Sequence, residues 1–333
     1  MSASTPAKLK LLRDVLAEHP DREVLRKYLK RSETGLLRNA VLVTLHRKWS
    51  ANPPHRLTEL GITTYDSASA NQGNAAMAGP HAEDLLRKIW CLHLVIRSTA
   101  HLDSTAAGLD PFHFGTTVYV SQNEALGILY EIWHQPMDEQ DEASGFRPIV
   151  YMSFGANDSI SKVRKVAFDF DPSSLDTTVA ALDAQIIPQQ SKITRHSDAS
   201  FAYLLAQFKI PVHHPENSGN AAMYATTIAV LSALRVELYA SPHNKVAKPG
   251  QSGQSSCKSA AFVMQALMDW PTPAPPVGVR VYCWKCGSEV HCFAECPNVD
   301  LKCDKCEGAV QEWRRKNAAT HVDGSCAFSF RFV

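Results

Sequence analysis

Seven of the nine cysteines fall between Cys283 and Cys326, and two histidines lie among them. A stretch of this length cannot bury enough apolar surface to fold alone, so thiols at this density point to metal as the source of its order. A secreted disulfide framework spreads through a fold and follows an apolar signal core, whereas the first residues, Met-Ser-Ala-Ser-Thr-Pro, lead into a charged helical pattern. The expectation is a cytoplasmic or nuclear chain holding Zn²⁺, as one or two ions.

The spacing supports two ligand sets. Cys283, Cys286, His291 and Cys296 form C-x2-C-x4-H-x4-C. Cys303 and Cys306 repeat the first half, and His321 and Cys326 the second, with fourteen residues between the halves. Two thiolates close a tight knuckle, and an imidazole with a third thiolate completes a tetrahedron. A rival pairing joins Cys283, Cys286, Cys303 and Cys306 across sixteen residues as a zinc ribbon, leaving Cys292, Cys296, His321 and Cys326 for a second ion.

The first block, with Trp284 after the first cysteine, Gly287, and Pro297 after the last, resembles the CCHC zinc knuckle of RNA-binding proteins. In that family aromatic residues stack on unpaired bases and basic residues hold phosphate. The resemblance implies that Trp284 and Phe293 are stacking residues and Lys285 a phosphate contact. Arg314, Arg315 and Lys316 extend the candidate contact surface. The sequence departs from the family at Val290, where a glycine usually precedes the histidine. The module's seven basic residues are also matched by seven acidic ones.

Upstream, 45% hydrophobic and 20% charged residues describe a folded chain, and a formal net charge of +1 advertises no global field for nucleic acid or membrane. Residues 1–60 carry +6 on what reads as solvated helix faces. Apolar spacing predicts helices after Thr5-Pro6, after Pro20-Asp21 and after Thr34, the last carrying Leu37, Ala40, Val41 and Leu45. Residues 51–80 read as a loop and His81–Ile96 as a buried helix. Strands are expected at 118–120, 148–154 and 163–170, and helices at 174–184, 199–208, 221–234 and 257–270. Ser121 and Glu124 form a capping box for a helix through Trp133. The proline run at 271–276 is the expected boundary. The divisions are thus a helical segment at 1–50, a mixed α/β body at 51–270, a linker at 271–278 and a zinc module at 279–333. The segment Asn71–Met77 recurs at Asn217–Met223 with six of seven residues identical, and the simple reading is a shared way of entering a helix.

Pro80-His81-Ala82-Glu83 matches half of the zinc deaminase signature, in which His holds the metal and Glu moves protons, but no Pro-Cys-x-x-Cys follows nearby. Cys257 at a helix start could be a nucleophile with His213, His214 or His243 as base, and Asp169 with Asp171 could share a strand face. The chain therefore reads as a non-enzymatic, zinc-binding protein that contacts single-stranded RNA or DNA through its tail. The body would serve assembly, a protein partner or homo-oligomerisation. The alternatives are a deaminase-like hydrolase using His81 and Glu83, and a ribbon that docks proteins.

Overall fold

The computed structural model describes residues 5–30, 36–52, 55–66, 79, 81–102, 109–141, 144–155, 168–239 and 259–328. The expected mixed α/β architecture is present. Six strands, β1 (Val41–Trp49), β2 (Leu57–Asp66), β3 (Trp90–Ile96), β4 (Thr117–Val120), β5 (Ile149–Ser153) and β6 (Thr178–Asp183), form one sheet in the order β4-β3-β2-β1-β5-β6. β1, β2 and β3 run antiparallel as a meander, whereas β5, β6 and β4 add in parallel pairings at either side.

Three of these strands lie where the sequence predicts helices. Leu37, Ala40, Val41 and Leu45 are spaced as on a helix, yet residues 41–49 form the central strand β1. Val41, Val43 and Leu45 enter the core on one face of the sheet, while Leu42 enters the core on the other. A strand buried on both faces reads as a continuous apolar run, and its period cannot distinguish it from a buried helix. The same ambiguity hid β3, where the expected helix is reduced to one turn, α3 (Glu83–Leu86), before the chain extends. At 178–183 the alanines favour helix, but pairing with β5 overrides that preference. Residues 163–167 of the expected third strand lie outside the described residues. Phe168 and Phe170 are buried without forming a strand, Phe170 edge-on to Trp133 at 5.2 Å.

Helices cover both faces. On one side α4 (Gln122–Trp133) buries Ala125, Leu129 and Trp133 against the sheet, started by the capping box of Ser121 and Glu124. On the other side lie α1 (Thr5–Ala17), α2 (Asp21–Lys30), α5 (Ile186–Gln190), α6 (Phe201–Gln207), α7 (Ser218–Ala233), α8 (Arg235–Tyr239) and α9 (Ala260–Asp269). Every residue of α7 is buried. It lies directly on β1, β2 and β3 and is itself covered by α2, α5 and α6.

This close approach depends on Gly61. A side chain there would run into the backbone of Ser218 and Gly219 at the start of α7. Two turns further on, the Thr226 hydroxyl meets the hydroxyls of Thr44 on β1 and Thr63 on β2, each at 2.7 Å. Asn217, from the second copy of the repeated segment, caps α7 by accepting from the Asn220 N–H. The first copy, Asn71–Met77, lies outside the described residues, as does Cys257.

The proline segment is bonded to the body. Thr272 N–H donates to Phe114 O at 2.9 Å, its hydroxyl to Cys91 O at 2.9 Å, and Val279 pairs with Tyr119 of the edge strand β4. Gly278 makes that approach with φ +71°.

Candidate functional site

Two loops meet at the entry to α7. Asn217 and Asn220 tie them together. Asn217 Nδ2 donates to Asp110 O at 2.9 Å, and Asn220 Nδ2 donates to Pro111 O at 2.9 Å and His214 O at 3.1 Å. In return Asn220 Oδ1 accepts from the His113 backbone N–H at 3.0 Å.

The side chains gathered there are imidazoles. His214 lies 5.4 Å ring to ring from His113, and His213 lies 6.1 Å from it. His214 Nδ1 is 3.2 Å from Asp110 Oδ1, each side chain 45% exposed, so the pair is reachable from solvent. His214 has φ +47°, a left-handed conformation that non-glycine residues adopt at a cost, and such strain concentrates at functional sites. Burial, then the neighbouring His214 and His213 rings, lower the pKa of His113.

Beneath the loops, Glu59 of β2 is held from three sides. Its Oε1 meets Lys48 Nζ at 2.8 Å, and its Oε2 meets His93 Nε2 at 3.1 Å and accepts from the Ser218 N–H at 3.1 Å. Burial alone would raise its pKa, but His93 and Lys48 together outweigh that and hold it down at about 2. A carboxylate at the first turn of α7 also suits the helix dipole. Every oxygen of Glu59 is therefore committed.

The tail brings eight of the expected ligands together in two groups. Cys283, Cys286, His291 and Cys296 place their donor atoms within 4.8 Å of one another, and Cys303, Cys306, His321 and Cys326 do the same. Both groups could hold a metal ion, and three sulfurs with one imidazole suit zinc. The four-cysteine ribbon pairing does not occur, because Cys283/Cys286 and Cys303/Cys306 belong to different groups. Cys292 stands exposed outside both. Burial pushes the Cys283 thiol up to about 11 and raises the Cys303 thiol further. These two thiols are therefore protonated near neutrality until a cation displaces their protons.

The stacking residues expected in this module face inward. Trp284 is 3% exposed, packed with Val95, Ala100, Tyr119 and Tyr282, and covered by Phe293 at 5.0 Å with planes 9° apart. Trp284 has no open face left for a base. Lys285 is buried and donates to Val299 O at 2.6 Å. Arg314 lies over the Phe328 ring, Arg315 donates to Ala309 O and Val310 O, and Lys316 pairs with Glu312. Trp284 thus packs against the body, whereas the contacts of Lys285, Arg314, Arg315 and Lys316 lie within the module.

His81 and Glu83 lie apart from both metal groups. His81 Nδ1 meets Tyr239 Oη at 2.9 Å, and Glu83 accepts from the His81 backbone N–H at 3.1 Å. Neither belongs to a group of three or more ligands among the described residues.

The body has a family. A model described as DNA polymerase III subunit epsilon-like, C-terminal domain, matches residues 41–232, more than half of the chain. The chain belongs to this epsilon-like family. The match begins at β1 and ends within α7, so it takes in the whole sheet and the histidine loops. No curated protein sequence matches the chain.

Membership of the epsilon-like family corrects the sequence-based reading. The family match falls on the body, whereas the sequence suggested a family resemblance only in the tail. The non-enzymatic reading, with nucleic acid held by the zinc module, is overturned by this match, as are the deaminase and docking-ribbon alternatives. The sequence offered His213 and His214 only as bases for Cys257, and their grouping with Asp110 and His113 escaped notice because the two pairs lie about a hundred residues apart. The available signals were the His213-His214 pair and the repeated segment that follows it. Among the described residues no helix is long and apolar enough to cross a membrane.

Proposed function

We propose that this chain is a nuclease that hydrolyses phosphodiester bonds of nucleic acid, with His214 and Asp110 as its acid–base pair. The observation that carries the reading is the exposed His214–Asp110 pair, held by Asn217 and Asn220, inside the region that matches the epsilon-like family. Asp110 orients the imidazole through Nδ1 and leaves Nε2 to take the proton of a water molecule, the role that an orienting carboxylate plays for a histidine base. The water oxygen bonds to phosphorus as the bond from phosphorus to one sugar oxygen breaks. That sugar oxygen takes a proton from solvent, and Nε2 keeps the one from water until it is released. His113 and His213 add donors for the phosphate oxygens.

Many nucleases also place divalent ions on the reacting phosphate, held by several carboxylates. The described residues of the body do not fit such ions. Glu59 has both oxygens engaged, and among the described residues only the two cysteine-rich groups bring three or more ligands to single-ion distance. The chemistry assigned here rests on the side chains alone. The cysteine-rich groups hold Zn²⁺ as structural ions that seat the tail on the body.

The test is cleavage of end-labelled single-stranded and duplex DNA and of RNA by the full chain. Shortened products are expected, with the rate reduced about 100-fold or more in His214→Ala and Asp110→Asn. Intact substrates after incubation with folded wild-type protein would overturn the proposal. So would a His214→Ala variant that cleaves at the wild-type rate.

A further inference from the structure

At the opposite end of α7 from the histidine loops, the start of α2, the end of α5 and the start of α8 enclose a cavity of about 420 Å³. Its polar lining includes Arg22, Gln190, Ser191, Lys192 and Arg235, and no carboxylate. The nearby acids lie outside the lining. Asp21 accepts from the Asp183 backbone N–H, and Glu237 pairs through Oε1 with Arg26 and Lys30 while its Oε2 is buried without a partner.

Two polar atoms of the lining are buried without a hydrogen-bond partner, Arg22 Nε and Ser191 Oγ. Ser191 is itself only 7% exposed. A buried guanidinium nitrogen and a buried hydroxyl left unpaired are costly, and a group rich in acceptors would satisfy both. The cavity is also held in shape. Arg235 Nη1 donates to Ser191 O at 2.8 Å and Lys192 O at 3.0 Å, and the Arg22 N–H donates to Gln190 Oε1 at 2.7 Å. Lys192 takes φ +59°, so this turn keeps a lysine in a conformation that glycine would adopt more easily. Lys192 also lines an adjoining cavity of about 740 Å³ with Arg195 and His196, which continues the cationic lining.

We infer that this cavity binds the phosphate group of a nucleotide, with Arg22, Ser191 and Lys192 on the phosphate oxygens and the half-exposed Tyr239 ring at the rim against the base. Three cations with no carboxylate select an anion, the forked guanidinium suits a phosphate, and an aromatic face suits a planar base. The site is separate from the His214–Asp110 pair. It relies on the proposed nuclease reading only for the expectation that nucleotides are the relevant phosphates.

Calorimetry on the full chain with inorganic phosphate, a nucleoside 5′-monophosphate and a 5′-phosphorylated oligonucleotide tests the inference. The monophosphate is expected to bind at least tenfold more tightly than phosphate, and Arg22→Met and Lys192→Gly to weaken it at least tenfold. Tyr239→Leu should bring the monophosphate down to the affinity of phosphate. Lys192→Gly relieves the backbone while removing the charge, so its loss of binding would not reflect misfolding. An oligonucleotide that binds as well as the monophosphate assigns the site to strand ends, and one that binds worse assigns it to free nucleotides. Wild-type protein that binds none of the three at millimolar concentration would overturn the inference, as would equal affinity for phosphate and monophosphate or unchanged binding in both cation variants. Cleavage by His214 proceeds or fails independently of these results.

Discussion

The imidazole of His101 lies against that of His321, with ring centroids 3.9 Å apart and planes inclined by 29°. One belongs to the loop after β3, the other to the second cysteine-rich group, and both are fully buried. Both nitrogens of His101 lack a partner, and burial, with His321 beside it, pushes its pKa down to about 3, so the ring is neutral. Removing the ring leaves a void, whereas replacing it with an apolar ring removes two unsatisfied atoms. His101→Ala should destabilise the chain by about 2–4 kcal/mol and weaken metal binding at the Cys303 group about tenfold. His101→Phe should retain stability. Chemical unfolding and chelator competition on both variants check this.

A second consequence follows from Gly61, over which the first turn of α7 lies with no room for a Cβ. The neighbours it would meet are backbone atoms, which cannot swing aside. Gly61→Ala should cost about 3 kcal/mol or more, while alanine at Gly127, where nothing lies within 4 Å, should be neutral or stabilising. Thermal melts of the two variants compare a blocked helix entry with an open helix surface.

Glu59 makes stability depend on pH. Its pKa is about 2 in the folded chain against an ordinary 4.5. A carboxylate depressed by folding contributes its full stabilisation above the ordinary value, and the contribution fades as pH falls from 4.5 towards 2. The size is about 3 kcal/mol. Glu59→Gln should therefore be less stable than wild type by an amount of this order at pH 7, and the gap should narrow in urea titrations taken down to pH 3.

Metal loading should release protons. The thiols of Cys283 and Cys303 are raised by burial, so they enter the apo chain protonated and must lose their protons to bind zinc. The enthalpy of zinc binding should then change with the ionisation enthalpy of the buffer, and affinity should fall as pH drops from 8 to 6. Chelation should also perturb the Trp284 fluorescence, because that ring is packed between the first metal group and the body. A buffer-independent enthalpy would mean the thiols are ionised before metal arrives.

The parts of the fold that were legible are those encoded by near neighbours. The Ser121–Glu124 capping box and the helices at 122–133, 201–207 and 218–233 follow from spacing over one or two turns. The strands β1, β3 and β6 did not, since what makes them strands is pairing with distant segments, on both sides for β1 and β3 and with β5 alone for the edge strand β6, rather than their own pattern. Trp284 illustrates the same limit within a motif. Its position after the first cysteine suggested a base platform, and its environment against Tyr119 and Tyr282 makes it a packing residue.

The sequence by itself marked the eight residues that could hold metal, the caps and the mixed α/β class, because chelation and capping operate over a few bonds and leave a fixed spacing. Only the tertiary structure decided how those ligands divide into two groups, that the tail is seated on the edge of the sheet, and that Asp110 meets His214. These depend on contacts between residues far apart along the chain, where no spacing records which surfaces will bury each other.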